Sequence, residues 1–245
     1  MILPGRSACD LPEKLIEVPR MSKQASTGTC HLCSGIFDKS QMTRHLKACK
    51  QKECSEQPSG ARGSRKKDAF HLLVEGRYLP EYWMHVELPA DAQLAALDRF
   101  LRDTWLECCG HLSMFSIGDK KYSPTEMGDF DDETMDARLS EVLSPGMKFY
   151  HEYDFGSTTY LTLKVIAQEQ RPIKGKAVQI LARNEPPEIP CISCGKPATR
   201  VCAQCIYSGA GWLCNACAAK HECGEEMLLP VVNSPRVGVC GYTGD

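Results

Sequence analysis

The pattern of apolar and polar positions divides the chain into segments of different character. Residues 51–67 are polar and lack any apolar period, so they are predicted to be a basic linker that buries no core. A proline-rich stretch forms a second predicted linker at 184–190. The other predicted segments are an irregular N-terminal stretch (1–28), a compact Cys/His segment (29–50), a folded middle domain (68–183) and a cysteine-rich module with its tail (191–245).

The middle domain alternates between strand-like and helical patterns. Leu94, Leu97 and Leu101 recur at helical spacing and share one face of a helix, with Asp91 as a candidate N-cap. Helices are predicted at 92–107 and 137–143, and strands at 68–75, 82–89, 111–118, 147–156, 158–168 and 176–183. Strand-rich blocks around one main helix predict an α+β fold rather than a doubly wound α/β sheet.

Composition narrows the class of protein. The chain has 245 residues, 42% hydrophobic and 24% charged, with a net charge of -2, so nucleic-acid contact would need a local basic patch. The N-terminus has no apolar signal region, and no apolar run is long enough for a membrane span. The fifteen cysteines therefore indicate a cytoplasmic protein of a reducing compartment, in which Cys-x-x-Cys pairs bind metal more often than they form disulfides.

The N-terminal Cys/His segment has the spacing of a zinc finger. Its pattern is C-x2-C-x11-H-x3-C, which supplies the four ligands of a tetrahedral zinc ion. Phe37 and Met42 are placed to form the small core that so short a finger needs. The predicted ligands are Cys30, Cys33, His45 and Cys49. The segment resembles a Cys2His2-type finger with cysteine as the last ligand.

A basic stretch overlaps and follows this finger. Nine Lys/Arg residues against two glutamates lie between 39 and 67, a charge excess that suits phosphate contacts with DNA or RNA, although a solvated linker would have the same composition. The candidate nucleic-acid contacts are Lys39, Arg44, Lys47, Lys50, Arg62, Arg65, Lys66 and Lys67.

The C-terminal module contains eight candidate ligands within 33 residues, enough for two further zinc ions. These ligands are Cys191, Cys194, Cys202, Cys205, Cys214, Cys217, His221 and Cys223. Two pairings are open. In the interleaved one, the first and third Cys-x-x-Cys pairs share an ion, and in the sequential one the first two pairs do. Cys240 is a reserve ligand in place of Cys223.

The module resembles the cross-braced families of MYND, B-box and HIT-type fingers, which favours interleaving and implies a possible protein partner. All ligand positions are filled, so the three predicted zinc ions are structural and not catalytic. Of the remaining cysteines, Cys108 and Cys109 are predicted to pack at the end of the main helix.

The middle domain resembles the plasmid ORF-3-like family, whose members are also known as TnpR-like passenger proteins of insertion elements. The resemblance covers about 115 residues, and its most specific piece is Tyr153-Asp154-Phe155-Gly156 after an apolar strand. This chain continues that motif with Ser157, where the family has an acidic residue. The resemblance implies an association with mobile elements.

The middle domain also offers one candidate site of another kind. His111, His151, Glu152 and Asp154 can form a cleft, although a tight turn with Asp154 bound to backbone amides and Gly156 at positive φ explains the same residues. An acidic loop at 129–132 is a candidate for a hard cation or a solvated loop.

No nucleophile–base pair, phosphate loop or open metal site is recognisable. The sequence therefore favours a non-enzymatic zinc-binding adaptor for nucleic acid or a protein partner, with no membrane partner. The alternative is an enzyme acting on nucleic acid, with its site at the turn of Asp154.

Overall fold

A computed structural model of the chain describes residues 26–56, 66–124, 133–171 and 178–244, without the side chains of 52–56. The chain divides into two compact units. We call the first the cysteine-rich unit, whose described part is Glu188–Val231. The second, the sheet unit, comprises the other described residues up to Pro187 together with the tail that begins at Val232. The boundaries predicted from the sequence, 191–245, instead place this tail in the cysteine-rich module.

The sheet unit is built on one ten-stranded sheet. Its strands are β1 (Thr27–Cys30), β2 (Ile36–Asp38), β3 (Lys67–Gly76), β4 (Trp83–Pro89), β5 (Ser113–Ile117), β6 (Lys120–Ser123), β7 (Glu133–Thr134), β8 (Lys148–Tyr153), β9 (Thr159–Arg171) and β10 (Gln179–Asn184). Their order is β2-β1-β10-β4-β3-β9-β8-β5-β6-β7, and only β6 and β7 pair in parallel. With few helices beside this sheet, the fold is α+β, as the sequence predicted.

Within the described residues, three α-helices accompany the sheet: α1 (Lys39–Glu56), α2 (Leu94–Leu101) and α3 (Leu139–Val142). The spacing that predicted α2 is confirmed, because Leu94, Leu97 and Leu101 are all fully buried. A π-helical turn over Arg102–Leu106 replaces the rest of the predicted helix. Gln93, and not Asp91, precedes the first helical residue, without a side-chain capping bond. Of the described helices, none is both long and apolar enough to cross a bilayer.

The finger segment is part of the main sheet. Strand β1 pairs antiparallel with β10, and Thr29 lies opposite Arg183 in that ladder. Helix α1 packs against the sheet through Met42 and Leu46, which join Trp83 in one fully buried apolar cluster. A β-carbon at Gly28 would come within 2.5 Å of the Trp83 ring, so the close approach of β1 to this indole requires glycine.

The cysteine-rich unit has little regular structure. It contains β11 (Arg200–Cys202), β12 (Trp212–Leu213), α4 (Asn215–Ala218) and β13 (Leu228–Pro230), with 3-10 turns at Cys205–Ser208 and Glu225–Met227. The three strands form a small antiparallel sheet in the order β12-β11-β13. One of its buried clusters consists of Cys191, Leu213, Cys214 and Ala218, so that half of its members are predicted metal ligands.

Candidate metal centres

The predicted finger ligands converge at the end of β1 and on α1. The ligand atoms of Cys30, Cys33, His45 and Cys49 all lie within 4.8 Å of one another. The turn between the first two cysteines is closed by the Ser34 amide, which donates to the Cys30 carbonyl at 2.7 Å. The His45 ring stacks on Phe37 with centroids 3.7 Å apart, which fixes the orientation of the imidazole.

The C-terminal ligands form two groups in the interleaved order. The first and third Cys-x-x-Cys pairs share one group, and the second pair shares the other with the His/Cys pair. The groups are Cys191, Cys194, Cys214 and Cys217, and Cys202, Cys205, His221 and Cys223. Cys240, the reserve ligand, belongs to neither. A backbone hydrogen bond helps to explain the interleaving, because the Ile192 amide, within the first pair, donates to the Trp212 carbonyl, just before the third pair, at 2.9 Å.

The separations between donor atoms fit a tetrahedral zinc ion. Zinc–sulfur bonds of about 2.3 Å and zinc–nitrogen bonds of about 2.0–2.1 Å imply sulfur–sulfur distances of about 3.8 Å and sulfur–nitrogen distances of about 3.6 Å. In the three groups, the sulfurs of Cys194 and Cys214 are 3.6 Å apart. Sulfur–nitrogen distances are 3.4 Å for Cys33 and His45 and 3.5 Å for Cys205 and His221.

Local backbone donors also favour the thiolate form that binds metal. Burial raises the pKa of the Cys191 thiol, but amides including those of Cys214 and Ser193 donate to its sulfur and lower the pKa to about 6. Burial likewise opposes ionisation of Cys202, whereas the Cys205 amide and other donors lower its pKa to about 7. These two thiolates bind zinc with little competition from protons. In the same groups, a hydrogen bond with Cys194 raises the pKa of Cys217 to about 12 and burial raises that of Cys205 to about 12, so metal binding has to displace those protons.

A fourth group of donors was missed by sequence reasoning. Cys108, Cys109, His111 and Cys240 also lie with their ligand atoms within 4.8 Å of one another. The described residues therefore contain four groups that could hold a metal ion, whereas the sequence predicted three zinc ions. The signal was weak, because two of these cysteines are adjacent and the last is 131 residues from Cys109.

The basic residues near the finger fall into two classes. Three lysines form ion pairs with carboxylates. Lys50 lies 3.1 Å from Glu87 and 2.8 Å from Glu169. Lys67 lies 3.2 Å from Asp91, and Lys39 pairs with Glu75. Lys50 is only 3% exposed, which leaves its ammonium little access to a phosphate. By contrast, Arg44, Lys47 and Lys66 have exposed side chains. Arg62, Arg65 and the acidic loop at 129–132 lie outside the described residues.

The turn after β8 binds its own carboxylate. Asp154 Oδ1 accepts hydrogen bonds from the amides of Gly156 at 3.0 Å and Ser157 at 3.2 Å, as the turn hypothesis predicted. The positive φ, however, is at Asp154 itself, at 65°, and not at Gly156. Of the proposed cleft residues, His111 Nε2 lies 3.7 Å from Asp154 Oδ2, whereas His151 instead contacts Asp98 at 2.8 Å.

Comparisons with known proteins add little. No family model matches the sequence, and no curated protein is significantly similar to it. The predicted membership of the plasmid ORF-3-like family is thus not supported. The chain is similar to the crystal structure of a protein of unknown function, MM3350 from Methanosarcina mazei Go1, with 16% identity and a TM-score of 0.41 over 47% of this chain and 69% of that one. Similarity of this degree indicates neither a shared family nor a shared function.

Proposed function

We propose that this protein is a non-enzymatic zinc-binding adaptor, in which structural zinc ions stabilise two regions that contact other macromolecules. The observation that carries the proposal is the convergence of all twelve predicted ligands into three sets of four. Each set consists of thiolates with at most one imidazole, a donor combination that suits zinc, and it provides four protein ligands. A zinc ion so bound has no open position for a substrate, which favours a structural role over catalysis. The reducing conditions of the cytoplasm keep such thiols free of disulfides, and we place the protein there.

The nucleic-acid surface that we propose is the exposed face of α1. Gln41, Arg44 and Lys47 are exposed and lie three residues apart, so they follow one face of the helix. The opposite face is held on the sheet by the buried Met42 and Leu46. A helix held in this way presents its polar face without an ordering cost, and its basic side chains can reach phosphates.

A protein partner is the second candidate, and one observation favours it. In the cysteine-rich unit, Ile192 is 50% exposed and Tyr207 is 49% exposed. Large apolar side chains at the surface of so small a unit are suited to packing against another protein.

An enzymatic site at the turn of Asp154 has less support, because its carboxylate is already bound by two amides and by Arg236 at 2.7 Å.

The decisive experiment compares two charge-neutralised variants of the zinc-loaded protein. Binding to labelled single- and double-stranded DNA and RNA of mixed sequence is followed by fluorescence anisotropy across a salt series. We expect Arg44→Gln/Lys47→Gln to weaken binding and to reduce the salt slope by about 2, one unit per lost phosphate contact. Lys121→Gln/Lys164→Gln removes two exposed positive charges elsewhere on the sheet unit and should leave the slope unchanged.

Two results would overturn the nucleic-acid proposal. One is the absence of binding by the wild-type protein at low salt, and the other is an equal loss in both double variants. Either result, with zinc still bound, would move the search to a protein partner of the cysteine-rich unit.

A further inference from the structure

The fourth group of donor atoms joins two distant segments of the sheet unit. Cys108, Cys109 and His111 lie between the π-helical turn and β5, where Gly110 has a φ of 71°. Cys240 comes from the tail, 129 residues after His111. Hydrogen bonding holds the tail there independently of the cluster, since Ser234 Oγ donates to the Trp105 carbonyl at 2.6 Å.

The backbone at Cys240 has a conformation that residues with side chains rarely adopt. Its φ is 49°, and it lies between two glycines, Gly238 and Gly241, with φ of 77° and 69°. This conformation brings the Cys240 sulfur to 3.2 Å from Nε2 of His111. Non-glycine residues in the left-handed region concentrate at functional sites, where the surrounding structure maintains them. The turn therefore places the sulfur at the cluster at a conformational cost.

A buried cation lies beside the cluster. Arg236 is completely buried, and its Nη2 donates to the Cys108 sulfur at 3.3 Å and to Asp154 Oδ2 at 2.7 Å. Three thiolates and a neutral imidazole around Zn²⁺ would carry a net charge of -1, so an adjacent guanidinium would stabilise that complex. Because the Asp154 carboxylate is bound by Arg236 and by turn amides, the sulfurs and the imidazole are the available ligands.

We propose that Cys108, Cys109, His111 and Cys240 bind a fourth zinc ion, which cross-links the tail to the segment between the π-helical turn and β5. The donor set of three sulfurs and one nitrogen is the same as that of the finger, and such soft ligands select zinc over magnesium or calcium. The proposal is independent of the nucleic-acid surface and of the ligand pairing in the cysteine-rich unit.

Exposure distinguishes the fourth site from the other three. Each of the other groups contains at least one buried cysteine, namely Cys30, Cys191 or Cys202, whereas no ligand of the fourth group is buried. Cys33 and Cys194 are exposed like Cys109, so the absence of any buried ligand is what leaves the fourth ion open to a chelator. The fourth zinc ion should therefore exchange faster than the others and be the first one removed.

The test measures zinc in the full chain, purified under reducing conditions with added zinc. Elemental analysis should give four ions per wild-type chain and three for both Cys109→Ala and Cys240→Ala. Titration with a chromogenic chelator should remove one ion in an early phase from the wild-type protein, and this phase should be missing in both variants. Cys109→Ala changes only an exposed side chain, so loss of an ion in this variant is not explained by misfolding.

Ser234→Ala is the matched control. It removes a tail-anchoring hydrogen bond without touching a ligand, and it should retain four ions with the early phase. Three ions in the wild-type protein, or four in both cysteine variants, would overturn the proposal. Loss of the ion in Ser234→Ala, with retention in Cys109→Ala, would also overturn it, since tail packing would then explain the result.

Discussion

The finger and the cysteine-rich unit use similar ligand sets in very different surroundings. In the finger, Met42, Leu46 and Trp83 form an apolar cluster between α1 and the sheet, and β1 continues the ladder of β10. In the cysteine-rich unit, the buried cluster contains only two residues that are not predicted ligands, Leu213 and Ala218, and its other two members are cysteines that would bind metal. The same coordination chemistry therefore reinforces an existing apolar core in the finger and takes the place of one in the cysteine-rich unit.

Removal of one exposed ligand should unfold the cysteine-rich unit but not the finger. Cys194→Ala should abolish the folding of Glu188–Val231, because metal binding by short zinc modules contributes about 10–16 kcal/mol and little apolar core remains without it. Cys33→Ala should release one zinc ion yet leave α1 and β1 in place. Hydrogen exchange followed by mass spectrometry should show fast amide exchange throughout the cysteine-rich unit in Cys194→Ala, and faster exchange only near the metal ligands of the finger in Cys33→Ala.

These two cysteines are matched, because each is exposed and each is the second cysteine of a Cys-x-x-Cys turn. Equally fast exchange of α1 in Cys33→Ala and of the cysteine-rich unit in Cys194→Ala would contradict the comparison. The apolar cluster under the finger would then be too weak to hold α1 without metal.

A second prediction concerns how α1 is held on the sheet. Lys50 is almost fully buried beside the buried Glu87 and the partly exposed Glu169. Lys50→Ala therefore leaves the Glu87 carboxylate with Arg171, at 3.5 Å, as its remaining ion-pair partner. Removing one partner of a buried ion pair costs about 3–5 kcal/mol. Lys47→Ala, one turn earlier on the exposed face, should change the free energy of unfolding by less than about 0.5 kcal/mol.

Chemical denaturation of the zinc-loaded variants measures both values. Similar costs for the two lysines would mean that the ion pairs do not contribute to holding α1. These ion pairs also explain why the number of Lys and Arg residues between 39 and 67 overstates the exposed positive charge of this region. The sequence alone does not show which lysines face carboxylates from β4 and β9.

The sequence predicted what depends on local spacing. Cys-x-x-Cys turns and the i, i+3, i+7 spacing of Leu94, Leu97 and Leu101 are short-range patterns, and the proximity of each cysteine pair and the burial of the leucines follow from turn and helix geometry. The pairing of β1 with β10 was not predicted, because Thr29 and Arg183 are far apart along the chain and nothing local specifies their register. The fourth cluster was missed for the same reason.

A last prediction concerns the pH dependence of stability that follows from a buried histidine pair in the sheet beneath the finger. His71 Nε2 and His85 Nδ1 lie 2.9 Å apart, a hydrogen bond that requires at least one neutral ring as acceptor. Burial, together with the nearby Lys50, lowers the pKa of both rings, that of His85 from 6.5 to about 4. Below pH 6.5 the unfolded chain therefore takes up protons that the folded protein does not, so stability falls as the pH falls.

The expected loss between pH 6.5 and pH 4 is on the order of 3 kcal/mol for His85 alone. His71→Gln/His85→Gln should show a flatter dependence of unfolding free energy on pH over this window, whatever its absolute stability. Acid release of zinc affects the wild-type protein and the variant alike, so the difference between their slopes isolates the histidine contribution. Equal slopes would mean that the two rings take up protons in the folded protein. Water would then reach both imidazoles in the sheet beneath the finger despite their burial.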